Sequence, residues 1–303
     1  MKDVLNKKSI CITGANGFIA KSFIHYFKDK YQFILISQER QNFSNSYSWN
    51  DLVYSPKILD CVDIVLNLAG ANIGDKHWNN LRKKEIITSR IQSTQILVNA
   101  LNTINHNAKL INASAVGIYP CDNVIYDETS PLNFKYFNSF SEEITKSWEL
   151  EALKYKGNLA ITRFGVVLSA FGGALQKILM PFKFGVGVGI GDGDWPFSWI
   201  SLVDLLHALE QIMLNDNLNG VFNLVSPDLI CYHDLIQKIS DIFNPKLRFN
   251  LPKWIIKIMF GQMGQELLLQ GQRVKPARLS GIEFDFKYGN INDCISAINK
   301  KEF

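Results

Sequence analysis

The sequence predicts an α/β fold, a doubly wound parallel sheet with a smaller, discontinuous C-terminal lobe. Three observations carry this expectation. In the first half of the 303-residue chain, short β-rich runs alternate with longer helical stripes, the pattern of a parallel sheet wound with helices. The first run, Ser9-Ile10-Cys11-Ile12-Thr13, passes directly into Gly14-Ala15-Asn16-Gly17 and then a helical stripe, which is the strand–turn–helix opening of such a sheet. After Gly165 the texture changes to short pieces punctuated by Gly and Pro, as suits a loop-rich lobe laid over the sheet.

The elements follow in order. Residues 9–13, 33–37, 63–67, 109–114 and 160–164 are largely apolar and read as buried strands. Phe23, Ile24 and Phe27 give the first helix its buried face. Ile87, Ile91, Thr94, Val98 and Leu101 recur at helical spacing and place one face of a long helix against the sheet, and Ile144, Trp148 and Ala152 do the same before the fifth strand. A helix built on Leu202, Leu205, Leu209 and Ile212 precedes a sixth strand at 221–225. The sheet domain is therefore expected over 1–167 with 202–226 returning to it, and the lobe over 168–201 and 227–303. Within the lobe, the glycines from Gly185 to Gly193 read as a flexible loop, and Pro227, Pro245, Pro252 and Pro276 separate three short helical pieces.

Composition narrows the function. With 47% apolar and 20% charged residues, and 32 Lys and Arg against 28 Asp and Glu for a net charge of +4, the chain is an ordinary globular protein. A chain this long buries about three quarters of its unfolded surface and needs no disulfide or metal staple. No Lys/Arg-rich run supplies an electrostatic footprint for nucleic acid. The longest apolar stretch, 159–179, is broken by Arg163 and a glycine pair, and Lys7 and Lys8 precede too short an apolar run for a signal peptide. No membrane partner and a cytoplasmic location are expected. Cys11, Cys61, Cys121, Cys231 and Cys294 are too scattered for a disulfide framework. His25, His77, His106, His207 and His233 lack metal-ligand spacing, so no metal is expected. No G-x-S-x-G elbow occurs, and the glycine turn lacks the G-K-[ST] ending of an ATP or GTP loop.

That turn is the main chemical signal. Gly14 permits the sharp bend, Gly17 lets backbone N–H groups approach a pyrophosphate, and Ala20 allows close helix–strand packing. At the end of the second strand, Ser37-Gln38-Glu39-Arg40 offers neutral donors and one cation, with Glu39 against them. This charge pattern leans toward the 2′-phosphate of NADP(H), leaving NAD(H) as the alternative.

Asn67-Leu68-Ala69-Gly70, with Ser114 at the end of the fourth strand, resembles the cofactor-side motif of the short-chain dehydrogenase/reductase superfamily. Trp78, Lys84-Glu85-Ile86, Ser89-Arg90, Thr94, Ser114-Ala115-Val116-Gly117-Ile118-Tyr119 and Trp148-Glu149 narrow the likeness, as do Arg163-Phe164-Gly165, Gly172-Gly173, Ser198-Trp199-Ile200, Asp204 and Gly271-Gln272-Arg273-Val274 with Pro276. Together they resemble the atypical extended branch called epimerase family, or nucleoside-diphosphate-sugar epimerase-like, whose members also carry a cell-division-inhibitor label. The resemblance spans almost the whole chain. It implies a Rossmann-type domain binding NADP(H) or NAD(H), and a small-molecule substrate such as a nucleotide sugar or another anion. The expected cofactor-binding residues are Gly14, Asn16, Gly17, Phe18, Ile19, Ser37, Gln38, Arg40, Leu68, Ala69, Gly70, Ala113, Ser114, Phe164 and Val166.

Members of that superfamily that move hydride use a Tyr-x-x-x-Lys pair, which exchanges a proton with the substrate hydroxyl. Here only Tyr26 and Lys30 have that spacing, and they fall on the first helix, while Ser141 and Thr145 occupy the places of the pair. Ser114 and Tyr119 remain as catalytic candidates, each with a packing alternative. Arg90 could pair with an anion or in a surface ion pair, and Lys146 or Glu149 could take over general acid/base work or pair with each other on their helix. Gln272, Arg273 and Lys275 are candidates for an anionic substrate, and Trp195 and Trp199 for stacking or for sealing the lobes. Two readings stay open: an NADP(H)-dependent oxidoreductase or sugar-nucleotide-epimerase-like enzyme without the usual pair, and a non-catalytic NADP(H)-binding sensor or regulator.

Overall fold

A computed structural model of the chain describes residues 7–40, 45–104 and 107–303; His106 lies outside the described residues. From β1 (Ser9–Thr13) the chain runs through α1 (Phe18–Phe27), β2 (Gln32–Ser37), β3 (Ser46–Ser48), α2 (Trp49–Tyr54), β4 (Ile64–Asn67), α3 (Asn80–Thr103) and β5 (Lys109–Ala115). Next come β6 (Ile125–Tyr126), α4 (Phe140–Ala152), β7 (Leu159–Phe164), β8 (Val166–Leu168), α5 (Ala174–Lys183) and β9 (Val186–Ile190). β10 (Pro196–Phe197), β11 (Trp199–Ser201), α6 (Leu202–Leu214), β12 (Gly220–Leu224), β13 (Ile230–Cys231) and α7 (Tyr232–Phe243) follow. The chain closes with β14 (Leu247–Leu251), α8 (Lys253–Leu268), β15 (Arg273–Val274), α9 (Ala277–Gly281) and α10 (Ile291–Asn299).

Seven strands form one parallel sheet in the order β12-β7-β5-β4-β1-β2-β3. The order reverses between β1 and β4, and such sheets open a crevice at the carboxyl ends of the strands there. Side-chain alternation explains why both faces are covered. Ile10, Ile12, Ile64, Leu66 and Ile111 pack on one face with Phe23, Leu205 and Leu209. Cys11, Val65 and Leu110 pack on the other with Leu52, Leu97, Val98 and Leu101. Each fully buried Leu or Ile contributes about 1.5–3 kcal/mol. The expected six strands are all present; β3, of sequence Ser-Tyr-Ser, adds an edge too short and polar to show a strand signal.

Three expectations are corrected. On α3, Thr94, Val98 and Leu101 are buried, but Ile87 and Ile91 are only half-buried and Ile86 is fully buried instead. The first turns of α3 pack Ile86 against Phe140 and Ile144 of α4 rather than against the sheet, which rotates the stripe. The glycines after Gly185 are not a loop: β9 pairs in parallel with β14, with Gly187 opposite Arg248 and Gly189 opposite Asn250. A side chain on Gly187 would meet Pro245 at 2.8 Å, and one on Gly189 would collide with the Asn250 amide, so these glycines permit a close approach. The C-terminal part holds four helices rather than three, and α8 bends at Gly261, whose φ is 55°. β12 pairs with β7, so the chain after α6 returns to the sheet. Among the described residues no helix is long and apolar enough to cross a membrane.

Candidate functional site

The turn between β1 and α1 is built for a backbone approach. Gly14 has φ +66°, and a side chain on it would meet the Leu68 carbonyl at 2.7 Å and Ala69 Cα at 2.8 Å. The Gly17 amide donates to the Gly14 carbonyl at 2.8 Å, closing the turn. Gly17 is the N-cap of α1 without a side-chain cap, and no acid stands in the first turn. The unsatisfied N–H groups and positive end of the dipole are therefore free to face an anion. Asn16 is exposed at the tip, Phe18 and Ile19 are half-buried, and Ala20 is buried against the sheet. This cradle fits a pyrophosphate.

At the end of β2, Ser37 is buried and its hydroxyl donates to the Glu39 carbonyl at 2.5 Å. The turn engages this donor, so Ser37, expected at the cofactor, bonds within the turn. Gln38 and Arg40 are exposed. Arg40 lies 3.4 Å from Asp51 Oδ1 and stands over the Tyr47 ring. Hydrogen bonds from the Ser48 backbone and hydroxyl, with a smaller pull from Arg40, hold the Asp51 carboxyl below its ordinary value. Asn67, fully buried, accepts from Thr13 Oγ1 at 2.5 Å and donates to Asn112 Oδ1 at 2.6 Å and Thr94 Oγ1 at 2.9 Å. This polar ladder fixes the strand ends across the switch point. Beyond it Leu68 and Ala69 wrap Gly14, and a side chain on Gly70 would meet the Arg90 guanidinium carbon at 3.0 Å.

Arg90 stands on the wall of a cavity of about 290 Å³, lined mostly by apolar groups that include Trp148, Phe164, Val166 and Trp195. Of the expected cofactor residues only Phe164 and Val166 line it; Ala113 and Ser114 are buried within β5. Ser141 and Thr145 stand on its wall. The Ser141 amide and hydroxyl donate to Glu266 Oε2 at 2.9 and 2.8 Å, the Phe140 amide to Oε1 at 3.2 Å, and Gln262 to Oε1 at 2.7 Å. A carboxylate from α8 thus caps α4 where the superfamily pair would stand, 125 positions away in sequence. Nothing local to either segment signals this contact.

The catalytic candidates Ser114 and Tyr119 are both engaged in internal hydrogen bonds. Ser114, 2% exposed, donates to Glu149 Oε1 at 2.6 Å. Arg163 Nε and Nη2 donate to the two Glu149 oxygens, each at 2.8 Å, and Nη1 donates to the Tyr119 hydroxyl at 2.7 Å. That hydroxyl also lies 2.9 Å from Asn223 Oδ1, and Tyr119 is fully buried. Burial pushes the phenol up against the pull of Arg163. Neither residue lines the cavity; both belong to a network joining α4, β5, β7 and β12. The expected Lys146–Glu149 pair is absent because Lys146 turns to Glu142 at 2.9 Å and Glu149 to Arg163.

Gln272 is on the cavity wall, but Arg273 and Lys275 are not. Trp195 lines it and stacks on Tyr232 with centroids 5.1 Å apart, while Trp199 is fully buried in the core. Lys84 is exposed, and Ser89 Oγ accepts from the Ala71 amide at 2.9 Å. Among the described residues Arg90 makes no surface ion pair: Nη1 donates to the Ala71 and Ile86 carbonyls at 3.0 and 3.2 Å, and the guanidinium lies over Trp148. Burial, with the like charge of Arg82, lowers its pKa to about 10. Cys231, His233 and Asp234 come together, but the Asp234 carboxylate already caps α7 through the Cys231 amide and contacts His233 at 3.0 Å.

Residues 10–224 match the family described as NAD dependent epimerase/dehydratase family, and residues 251–298 match a domain of unknown function, DUF1731. An epimerase family protein of Staphylococcus epidermidis is 31% identical over 310 residues, covering 97% of this chain and 99% of that protein. One of Staphylococcus aureus is 31% identical over 311 residues, covering 97% and 100%. The crystal structure of human epimerase family protein SDR39U1 (isoform2) with NADPH superposes with a TM-score of 0.88 at 26% identity, covering 96% of this chain and 99% of that one. The nucleoside-diphosphate sugar epimerase from Corynebacterium glutamicum shares the fold, with a TM-score of 0.78 at 24% identity, over 96% of this chain and 58% of that one.

Proposed function

The chain belongs to the NAD dependent epimerase/dehydratase family as an atypical short-chain dehydrogenase/reductase, and on that premise we propose that it binds NADP(H) at the glycine turn and acts on a small molecule in the adjoining cavity. The observation that carries this reading is the uncapped N-terminus of α1 behind a Gly14 that admits no side chain. Asn16, Gly17, Phe18 and Ile19 would hold the pyrophosphate, and Gln38 and Arg40 the 2′-phosphate. Leu68, Ala69 and Gly70 would border the cofactor, with Ala113, Ser114, Phe164 and Val166 toward its nicotinamide end. The NADPH in the human relative supports the phosphorylated form over NAD(H). When bound, the dinucleotide donates or accepts a hydride. Trp148, Phe164, Val166 and Trp195 give the cavity apolar walls. Residues 168–201 and 227–303 form the lobe that supplies Trp195, Tyr232, Glu266 and Gln272 to the wall facing the sheet domain.

A second reading, a non-catalytic NADP(H)-binding sensor, is favoured by Ser141 and Thr145 in the places of the superfamily pair and by the internal bonding of Ser114 and Tyr119. Turnover distinguishes the two. NADPH oxidation by a panel of carbonyl compounds, and NADP+ reduction or isomer interconversion with a panel of nucleotide sugars, is expected for at least one compound, and to vanish in Gly17→Val. Tight NADPH binding with no hydride transfer in either direction and no isomer interconversion across the panels contradicts the enzyme and leaves the sensor.

A further inference from the structure

We propose that the cavity binds an otherwise apolar molecule through a single carboxylate, held on the free edge of the Arg90 guanidinium. This rests on reading the cavity as the substrate site.

Arg90 is the guanidinium on the cavity wall. Its Nη1 group is fully engaged, one N–H to the Ala71 carbonyl and one to Ile86. No hydrogen bond or ion pair within the described residues takes up Nε or Nη2, and Arg90 lines the cavity. Nε–H and the adjacent Nη2–H point in parallel along one edge, which is the fork that receives both oxygens of a carboxylate. The fork is held in place. The Trp148 ring lies 5.2 Å from the guanidinium carbon, and the missing side chain at Gly70 leaves room against the guanidinium face.

The charge is uncompensated. At neutral pH Arg90 is protonated, and the neighbouring charge that acts on it, Arg82, has the same sign. A half-buried cation without a partner carries a desolvation cost, and an anionic ligand relieves it. The carboxylate on the wall, Glu266, does not serve, since both its oxygens accept from the N-terminus of α4 and from Gln262.

The walls set the rest of the ligand. Ile73, Ile144, Trp148, Phe164 and Val166 offer apolar surface, and the volume of about 290 Å³ is at the small end for ligand pockets. One cation in such a wall suits a monoanion with an aromatic or aliphatic body. A diphosphate with its sugar would bury polar groups there without partners.

The test uses 2-naphthoate and its neutral counterpart 2-naphthamide, each titrated by calorimetry into the full chain with and without saturating NADPH. NADPH is titrated separately. Wild type is expected to bind the acid at least tenfold more tightly than the amide. Arg90→Gln is expected to bring that ratio close to one while leaving NADPH affinity within about threefold, and Arg90→Lys, with the charge but no fork, to fall between. Equal affinity of wild type for acid and amide, or no binding of either, overturns the proposal whether or not the variants fold. So does an acid preference that survives in Arg90→Gln, or a loss confined to NADPH, which would assign Arg90 to the cofactor. Preferential binding of the acid by a protein that does not bind NADPH would defeat the cofactor reading and leave this one standing.

Discussion

Glu149 holds together the seam between α4 and the sheet. Its carboxylate takes both arms of the Arg163 fork and the Ser114 hydroxyl, with Arg163 and Glu149 side chains 4% and 1% exposed. Removing one partner of a buried pair strands the other charge, at a cost of about 3–5 kcal/mol. Glu149→Ala is therefore expected to lower unfolding free energy by about that amount in urea denaturation; a loss within ordinary surface-mutation scatter would contradict the network. Sequence pattern pointed instead to Lys146 at helical spacing, because the true partner is on a neighbouring strand. The absence of Tyr-x-x-x-Lys could be read by counting along one helix, whereas Glu266 beside Ser141 could not. Beside Arg40 and Ser48, Asp51 has a lowered pKa, so its stabilising contribution is present above its unfolded value and is lost as pH falls through the folded one. Ser48→Ala removes one of the two Ser48 bonds and is expected to raise the Asp51 pKa part of the way back, followed by NMR titration. An unchanged titration would mean the backbone bond alone sets it.

The β1–α1 turn separates two kinds of glycine. Gly14 is left-handed and hemmed by backbone, so Gly14→Val is expected to impair folding itself. Gly17 has φ −68°, and a side chain there would meet only the Gly14 carbonyl, at 3.1 Å. Gly17→Val is thus expected to keep the wild-type melting temperature within a few degrees while losing NADPH binding. Unchanged affinity in that variant would remove the turn from the site. The turn was legible because strand, glycines and helix are contiguous. β9 was not, since its Val-Gly alternation shares the composition of a loop and its partner β14 is distant in sequence. The α3 stripe was half legible, its first turns facing α4 rather than the sheet.

Over the whole molecule, the parallel sheet could be read from sequence because buried strands are continuous apolar runs separated by helical stripes. Its topology brings Gly14 against Leu68 and Ala69, and Gly70 against Arg90, which lines the cavity. The cavity itself was not legible, because its walls come from α3, α4, the β7 end, the Trp195 turn and α8. A ligand that binds only the folded chain also stabilises it, by about 2.7 kcal/mol at a hundredfold excess over Kd. NADPH is accordingly expected to raise the melting temperature in a concentration-dependent way, measured by calorimetry. The central claim is the dinucleotide site, and the most direct test is a side-by-side calorimetric titration of NADPH and NADH into the purified, cofactor-free protein and its Arg40→Glu variant. The account predicts NADPH binding of micromolar affinity or better, tighter than NADH, with the preference lost in the variant. Binding of neither dinucleotide to the wild-type protein would contradict it.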